Sequence, residues 1–139
     1  MNYGQIIYDV LNATTALPIA PLNMAQGVEA PYVVYAVNYI DPQGIKYKTE
    51  GLDVVSFSVA VYDQDYEAAQ IEADKIRVAF SGLWTNVVQN AWVQSQAHAY
   101  IQEVDVNVVV LEIVMRVFYQ KYTAGGIGVM EIGNTFIVG

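Results

Sequence analysis

The chain has no cysteine. That excludes disulfides, thiolate metal sites and cysteine nucleophiles, and it leaves the redox compartment open. It has one histidine, His98. A zinc site or a histidine-based triad needs partners of specific kinds, whereas His98 sits beside Gln96 and Tyr100 on the polar side of an alternating run and reads as a solvated surface residue. Charge is scarce: 14% of 139 residues, with 6 basic against 14 acidic side chains and a net charge of −8. An acidic chain repels phosphates, so sequence-independent nucleic-acid binding is not expected. The acid excess is either a solubilising surface or one that nucleic acid passes without sticking. No apolar run approaches the ~18 residues of a membrane span; the densest, residues 108–117, is broken by Glu112 and Arg116. The first dozen residues, MNYGQIIYDVLN, have neither the basic start nor the apolar run of a secretory signal, so none is expected.

Apolar residues, by contrast, make up 55% of the chain. That excludes a disordered chain. A single domain of this length with so few charges cannot easily cover its surface, so an oligomer or assembly component is expected.

The chain is organised around residues 52–82. Val55, Phe57, Val59 and Val61 alternate with Val54, Ser56, Ser58 and Ala60, the pattern of a strand with one fully apolar face. After Asp63, Asp65 and Glu67 the period changes: Ala69, Ala73, Ile76, Phe80 and Leu83 form one helical stripe, and Gly82 can close the helix in a left-handed conformation. Ile71 and Val78 fall nearly opposite that stripe, at ~100° per residue, and are candidates for a subunit contact.

Before this unit, residues 3–16 read as a helix with Tyr3, Ile6, Ile7, Val10 and Leu11 at helical spacing, Asn2 as its cap, and Pro18 and Pro21 ending it. Residues 18–31 form an apolar loop, either packed on the domain or at an interface. Residues 32–40 form a strand apolar on both faces, expected to be central: Tyr32, Val34, Ala36 and Ile40 face one way, Val33, Val37, Tyr35 and Tyr39 the other. Asp41-Pro42-Gln43-Gly44 is a turn signal, so residues 41–51 are expected to project as a loop or short hairpin carrying Lys46, Tyr47 and Lys48.

After the unit, residues 83–90 connect to a strand over 91–103, with Val93, Ala97, Ala99 and Ile101 on one face and Gln94, Gln96, His98, Tyr100 and Gln102 on the other. Asp105 to Asn107 turn, or the run continues through a bulge. Residues 108–122 form the last long strand: Val109, Leu111, Ile113, Met115, Val117 and Tyr119 are its apolar face, opposite Glu112, Arg116 and Gln120. Residues 123–139 are glycine-rich yet carry Ile127, Val129, Met130, Ile132, Phe136, Ile137 and Val138, with Gly133-Asn134 as a hairpin-turn candidate. A flexible linker is not so apolar. This is either a frayed terminus or, as preferred here, an arm or hairpin that pairs with a sheet edge of this subunit or the next.

No motif carries catalytic chemistry. Asp63, Asp65 and Glu67 mimic the start of a calcium loop, but Ala68 and Asp74 stand where such a loop needs glycine and glutamate; acids there cap a helix start instead. The run Gly125-Gly126-Ile127-Gly128 fails the dinucleotide fingerprint, because Glu131 takes the third glycine's place. No enzyme activity, cofactor or metal is expected.

The order of elements, with Pro31-Tyr32-Val33-Val34-Tyr35, the strand over 54–62, the helix from Tyr66 to Gly82 with its alternating acids and bases and terminal Ser81-Gly82, and the closing strand over 108–119, resembles the tail terminator or tail completion proteins of tailed bacteriophages. The likeness covers residues 1–121. It implies an α+β fold: a mostly antiparallel sheet of about four strands with two helices on one side. The domain is expected over residues 1–122, with 123–139 as a C-terminal arm or hairpin. It implies a structural virion protein, assembled in the host cytoplasm, that forms a ring, commonly hexameric. The ring would end the tail tube and join it to a head-closure or neck protein, with DNA passing through the lumen and no membrane involved. The apolar extension and the low charge density depart from the family pattern and leave open another neck ring, a head-closure or connector protein. In a different class, a small ligand-binding or catalytic domain could use the tyrosine-rich strand faces as a pocket. The residues expected at interfaces are Lys46, Tyr47 and Lys48, Ile71 and Val78, and Ile127, Val129, Ile132 and Phe136.

Overall fold

The computed structural model describes residues 2–23, 27–43 and 50–120. The order is α1 (Tyr3–Thr14), β1 (Ile19–Pro21), β2 (Tyr32–Gln43), β3 (Glu50–Asp63), α2 (Tyr66–Phe80), β4 (Val88–Ile101) and β5 (Val106–Gln120). The strands form one mixed sheet in the order β1-β2-β3-β5-β4. β1 pairs with β2 in parallel, and the other three pairings are antiparallel. The fold is therefore α+β, with a fifth strand added to the four expected.

Period-two patterning puts β3 at the centre of this sheet. Val55, Phe57, Val59 and Val61 are wholly buried against Leu111, Ile113, Met115 and the helices. The α2 stripe Ala69, Ala73, Ile76 and Phe80 is wholly buried on the same side, and α1 adds Tyr3, Ile7 and Leu11. Both helices thus cover one face of the sheet. Phe57 and Phe80 meet edge to face at 5.2 Å, tying strand to helix. The Asn2 side chain caps α1 by accepting from the Gln5 amide at 3.1 Å. The tyrosine hydroxyl of Tyr3 donates to Asp53 and so fastens the start of α1 to β3.

Four local readings change. Residues 18–31 are not all loop, because Ile19–Pro21 pairs with Val33–Tyr35. The turn signal at Asp41-Pro42 does not turn the chain: Asp41, Pro42 and Gln43 pair with Val54, Asp53 and Leu52. A proline is tolerated there because β2 has no outer neighbour beyond Tyr35 among the described residues. For the same reason β2 is central only over its first half, and Val37 to Gln43 are exposed. Finally, the strands shift register, β2 once between Val37 and Tyr39 and β4 twice, between Val88 and Asn90 and between Val93 and Ser95. An extra residue in a strand reverses which face the following side chains take. Ile40 therefore shares a face with Val33 and Tyr35, and Tyr39 shares the other with Val34. The turn before β5 lies at Gln102–Asp105, with Asp105 at φ 54°.

Candidate assembly surfaces

The residues that might have carried chemistry are engaged in holding the fold. Asp63 accepts from the Asp65 amide at 2.9 Å, and Asp65 caps α2 by accepting from the Glu67 amide at 3.3 Å. The acid cluster is thus the start of a helix. His98 Nε2 lies 3.0 Å from Asn107 Oδ1, and its ring meets Tyr66 edge to face at 4.7 Å. The histidine is exposed, but it is part of a bonded corner that continues from Asn107 to the Gln64 carbonyl at 3.1 Å. Among the described residues, no three acidic or histidine side chains come together as a metal site, and no helix is long and apolar enough to cross a membrane.

A shallow groove lies between the start of α1 and the β1–β2 edge, lined by Asn2, Gln5, Leu22, Tyr35 and Val37. Its one titratable group is Tyr35, whose phenol is pushed up by burial and by nearby Tyr8. It offers a ligand amides and a rim of apolar carbon, and no acid–base pair.

The basic residues among those described are held locally. Lys75 pairs with Glu72 at 2.9 Å, Arg77 donates to Gln96 at 3.3 Å, and the Arg116 guanidinium lies 5.5 Å from the Trp92 ring centre. Glu72 joins the two helices, because it also accepts from the Thr15 hydroxyl at 2.7 Å. Partial burial pushes its carboxyl up, but the hydrogen bonds from Lys75 and Thr15 and the charge of Lys75 outweigh this and hold it below the usual glutamate range.

What the fold leaves open is surface. On α2, Ile71 and Val78 are 53% and 75% exposed on the side away from the sheet, where the helical spacing puts them. A larger open area is the sheet face that carries no helix. The pairing register lines up Leu52 with Phe118, Tyr39 with Ser56, Val114 and Trp92, Val34 with Ala60, Val110 and Ala97, and Tyr32 with Tyr62, Val108 and Ala99. Tyr39, Trp92, Phe118 and Ile101 on this face are exposed. The second bulge in β4 creates much of it, because it turns Ala97, Ala99 and Ile101 onto this side and sends Gln96 to Arg77 on the helix side. Sequence reasoning missed this surface. A partial signal was present: the second faces around Val54 and Val110 set Ala60, Val108 and Val114 among Ser56, Ser58, Glu112 and Arg116, and with both helices on one side these have no cover.

A third feature is the outer edge of β4. Its 14 residues, VQNAWVQSQAHAYI, contain no charge and no proline, two of the devices that keep an edge from pairing with another strand; its bulges are the device it does carry. Of the residues expected at interfaces, Ile71 and Val78 are thus brought to the surface. Lys46, Tyr47, Lys48, Ile127, Val129, Ile132 and Phe136 lie outside the described residues.

No protein-family model matches the chain, and no curated protein matches it. Among solved structures, it is similar in fold to a chain of the "Virion of native gene transfer agent (GTA) particle", at 16% identity and a TM-score of 0.59, over 81% of this chain and 91% of that one.

Proposed function

We propose that the protein is a structural component of a phage-like virion, and within it a ring-forming subunit that ends the tail tube and joins it to the neck. The observation that carries this reading is the fold shared with a chain of a gene transfer agent virion over 81% of this chain and 91% of that one. The apolar surface left in water supports it, since Ile71 and Val78 on α2 and the charge-free outer edge of β4 are what a subunit in a closed homo-oligomer would bury. The ring would be a homohexamer, with the tail tube protein on one side and a head-closure or neck protein on the other. DNA would pass its lumen, which an acidic chain of net charge −8 would not retard. In this role there is no reaction to catalyse, in keeping with side chains that serve caps and corners.

The experiment is to purify the full chain, count its subunits by native mass spectrometry, and image it with tail tubes by electron microscopy. A ring seated on tube ends is expected. A protein that stays monomeric at all concentrations and never decorates tubes refutes the reading, and a ring that binds the portal end of the neck instead makes it a head-closure protein.

A further inference from the structure

We infer that the helix-free face of the sheet is the docking site of the chain's own C-terminal segment, residues 123–139. The inference goes beyond the virion reading and does not depend on it.

The face itself is the first observation. Four strands present it, with Trp92, Tyr39 and Phe118 partly in water and no helix over it. Apolar rows on it alternate with polar ones, Asp41, Arg116 and Asn90 in one and Ser58, Glu112 and Ser95 in another, so it offers exposed apolar patches, of the kind that mark binding sites, framed by polar side chains. The second observation is where the undescribed chain begins. β5 ends at Gln120, two residues past Phe118 and opposite Glu50, so the segment starts at one corner of this face. The third is what the segment contains: seven large apolar side chains between Ile127 and Val138, and one charge, Glu131.

Length and charge agree with the assignment. β5 spans Val106–Gln120, and at about 3.3 Å per residue the face is roughly 50 Å long. Seventeen extended residues reach at most about 60 Å, enough to cross the face singly or to cover half of it as a hairpin. On the face, Glu112 accepts from Asn38 at 3.2 Å and Asp41 accepts from Gln43 at 3.0 Å. Arg116 lies over the Trp92 ring and meets no carboxylate among the described residues, which leaves it as the one group on the face available to pair with Glu131. A neighbour's segment is the rival occupant. The attached segment has the advantage, since covalent attachment at the corner of the face holds it at an effective concentration on the order of millimolar.

Trp92 reports directly on this. The chain has two tryptophans, and Trp84 stands 78% exposed in the connection after α2, so Trp84→Phe in the full chain leaves Trp92 as the sole indole with little risk to folding. Docking is expected to give a blue-shifted emission poorly quenched by acrylamide. Adding Ile132→Asp and Phe136→Asp should raise the quenching constant several-fold and shift the emission to the red, with the circular dichroism spectrum unchanged. Freely quenched Trp92 in the Trp84→Phe chain overturns the inference. Because the chain lacks cysteine, Ala97→Cys with Ile132→Cys can be treated with a short bis-maleimide and run on a denaturing gel. A cross-link within one chain is the expected result. Cross-links only between chains, or none, overturn the assignment.

Discussion

Replacing Ile71 and Val78 by aspartate separates assembly from folding. The two side chains leave 53% and 75% of their surface in water. Full burial of such a side chain contributes about 1.5–3 kcal/mol, so a neighbour that covered what remains would add about 1 kcal/mol from Ile71 and about 1.5 kcal/mol from Val78. Losing both, and forcing two carboxylates into an apolar contact, should weaken each subunit contact by at least about 3 kcal/mol, a factor of roughly 100 or more. The cost to folding is far smaller. An aspartate at position 71 gains Lys75 four residues on, already paired with Glu72, and meets Glu67 four residues back, so the two pair terms of about 0.3 kcal/mol roughly cancel. One at position 78 stands four residues after Asp74 and in the last turn of α2, where a negative charge costs about 0.3–1 kcal/mol. The melting temperature of the isolated subunit should fall by only a few degrees. Sedimentation velocity reads the first effect and a circular dichroism melt the second. Assembly as tight as the parent's in a folded double variant would show that this side of α2 meets no neighbour, and collapse of the fold would show that the two residues belong to the core.

Phe80→Ala acts on the core alone: Phe80 is wholly buried against Phe57, and urea unfolding should show a loss of about 3–5 kcal/mol; a loss below about 1 kcal/mol would mean that the helix–sheet contact closes around the gap. Gly82 has φ +74° and no heavy atom within 4 Å of an added Cβ, so Gly82→Ala should cost about 1–2 kcal/mol by backbone strain alone, and Gly82→Asn clearly less in the same thermal melt. Glu72 should tie stability to acidity. Its folded pKa lies below the ordinary range, so its contribution is complete above the unfolded value and disappears as pH falls through the folded one. Glu72→Gln should therefore be less stable than the parent near neutrality and should lose less stability on acidification; parallel curves from neutral to acid pH would refute the link between Thr15, Glu72 and Lys75.

The strand–helix unit from β3 to α2 was legible because both its periods are clean and long. Alternation at Val55, Phe57, Val59 and Val61, then the stripe Ala69, Ala73, Ile76 and Phe80, each assigned the face that is wholly buried. The cap at Asp65 and the left-handed Gly82 were legible for chemical reasons local to a few residues. The rest failed where the deciding partner is distant. Ile19–Pro21 is a strand only because Val33–Tyr35 offers it an edge. Asp41-Pro42 reads as a turn by itself, but the pairing with Val54 and Asp53 carries the strand through it. A bulge has no signature in VQNAWVQSQAHAYI, so alternation assigned Val93 and Ala97 to one side when the pairing with Ile113 and Val110 places them on opposite sides.

That last difference accounts for the composition. A chain 55% apolar and 14% charged has more apolar surface than one core can hold, and the fold shows where the surplus is. The helix-side core takes one face of each long strand and the inner stripes of both helices. Val54, Val110, Val114, Trp92 and Phe118 then have no helix to meet, and the second bulge in β4 adds Ala97, Ala99 and Ile101 to them. Without the bulge, Gln96, His98 and Tyr100 would line that side and the surface would be wetter; the bulge instead spends these polar residues on Arg77, Asn107 and Asp105 at the helix-side rim. Such an exchange lowers solubility and gains the subunit nothing unless something covers the apolar face. An occupant of that face is what turns the exchange to advantage, and the segment proposed above begins at its corner, past Gln120.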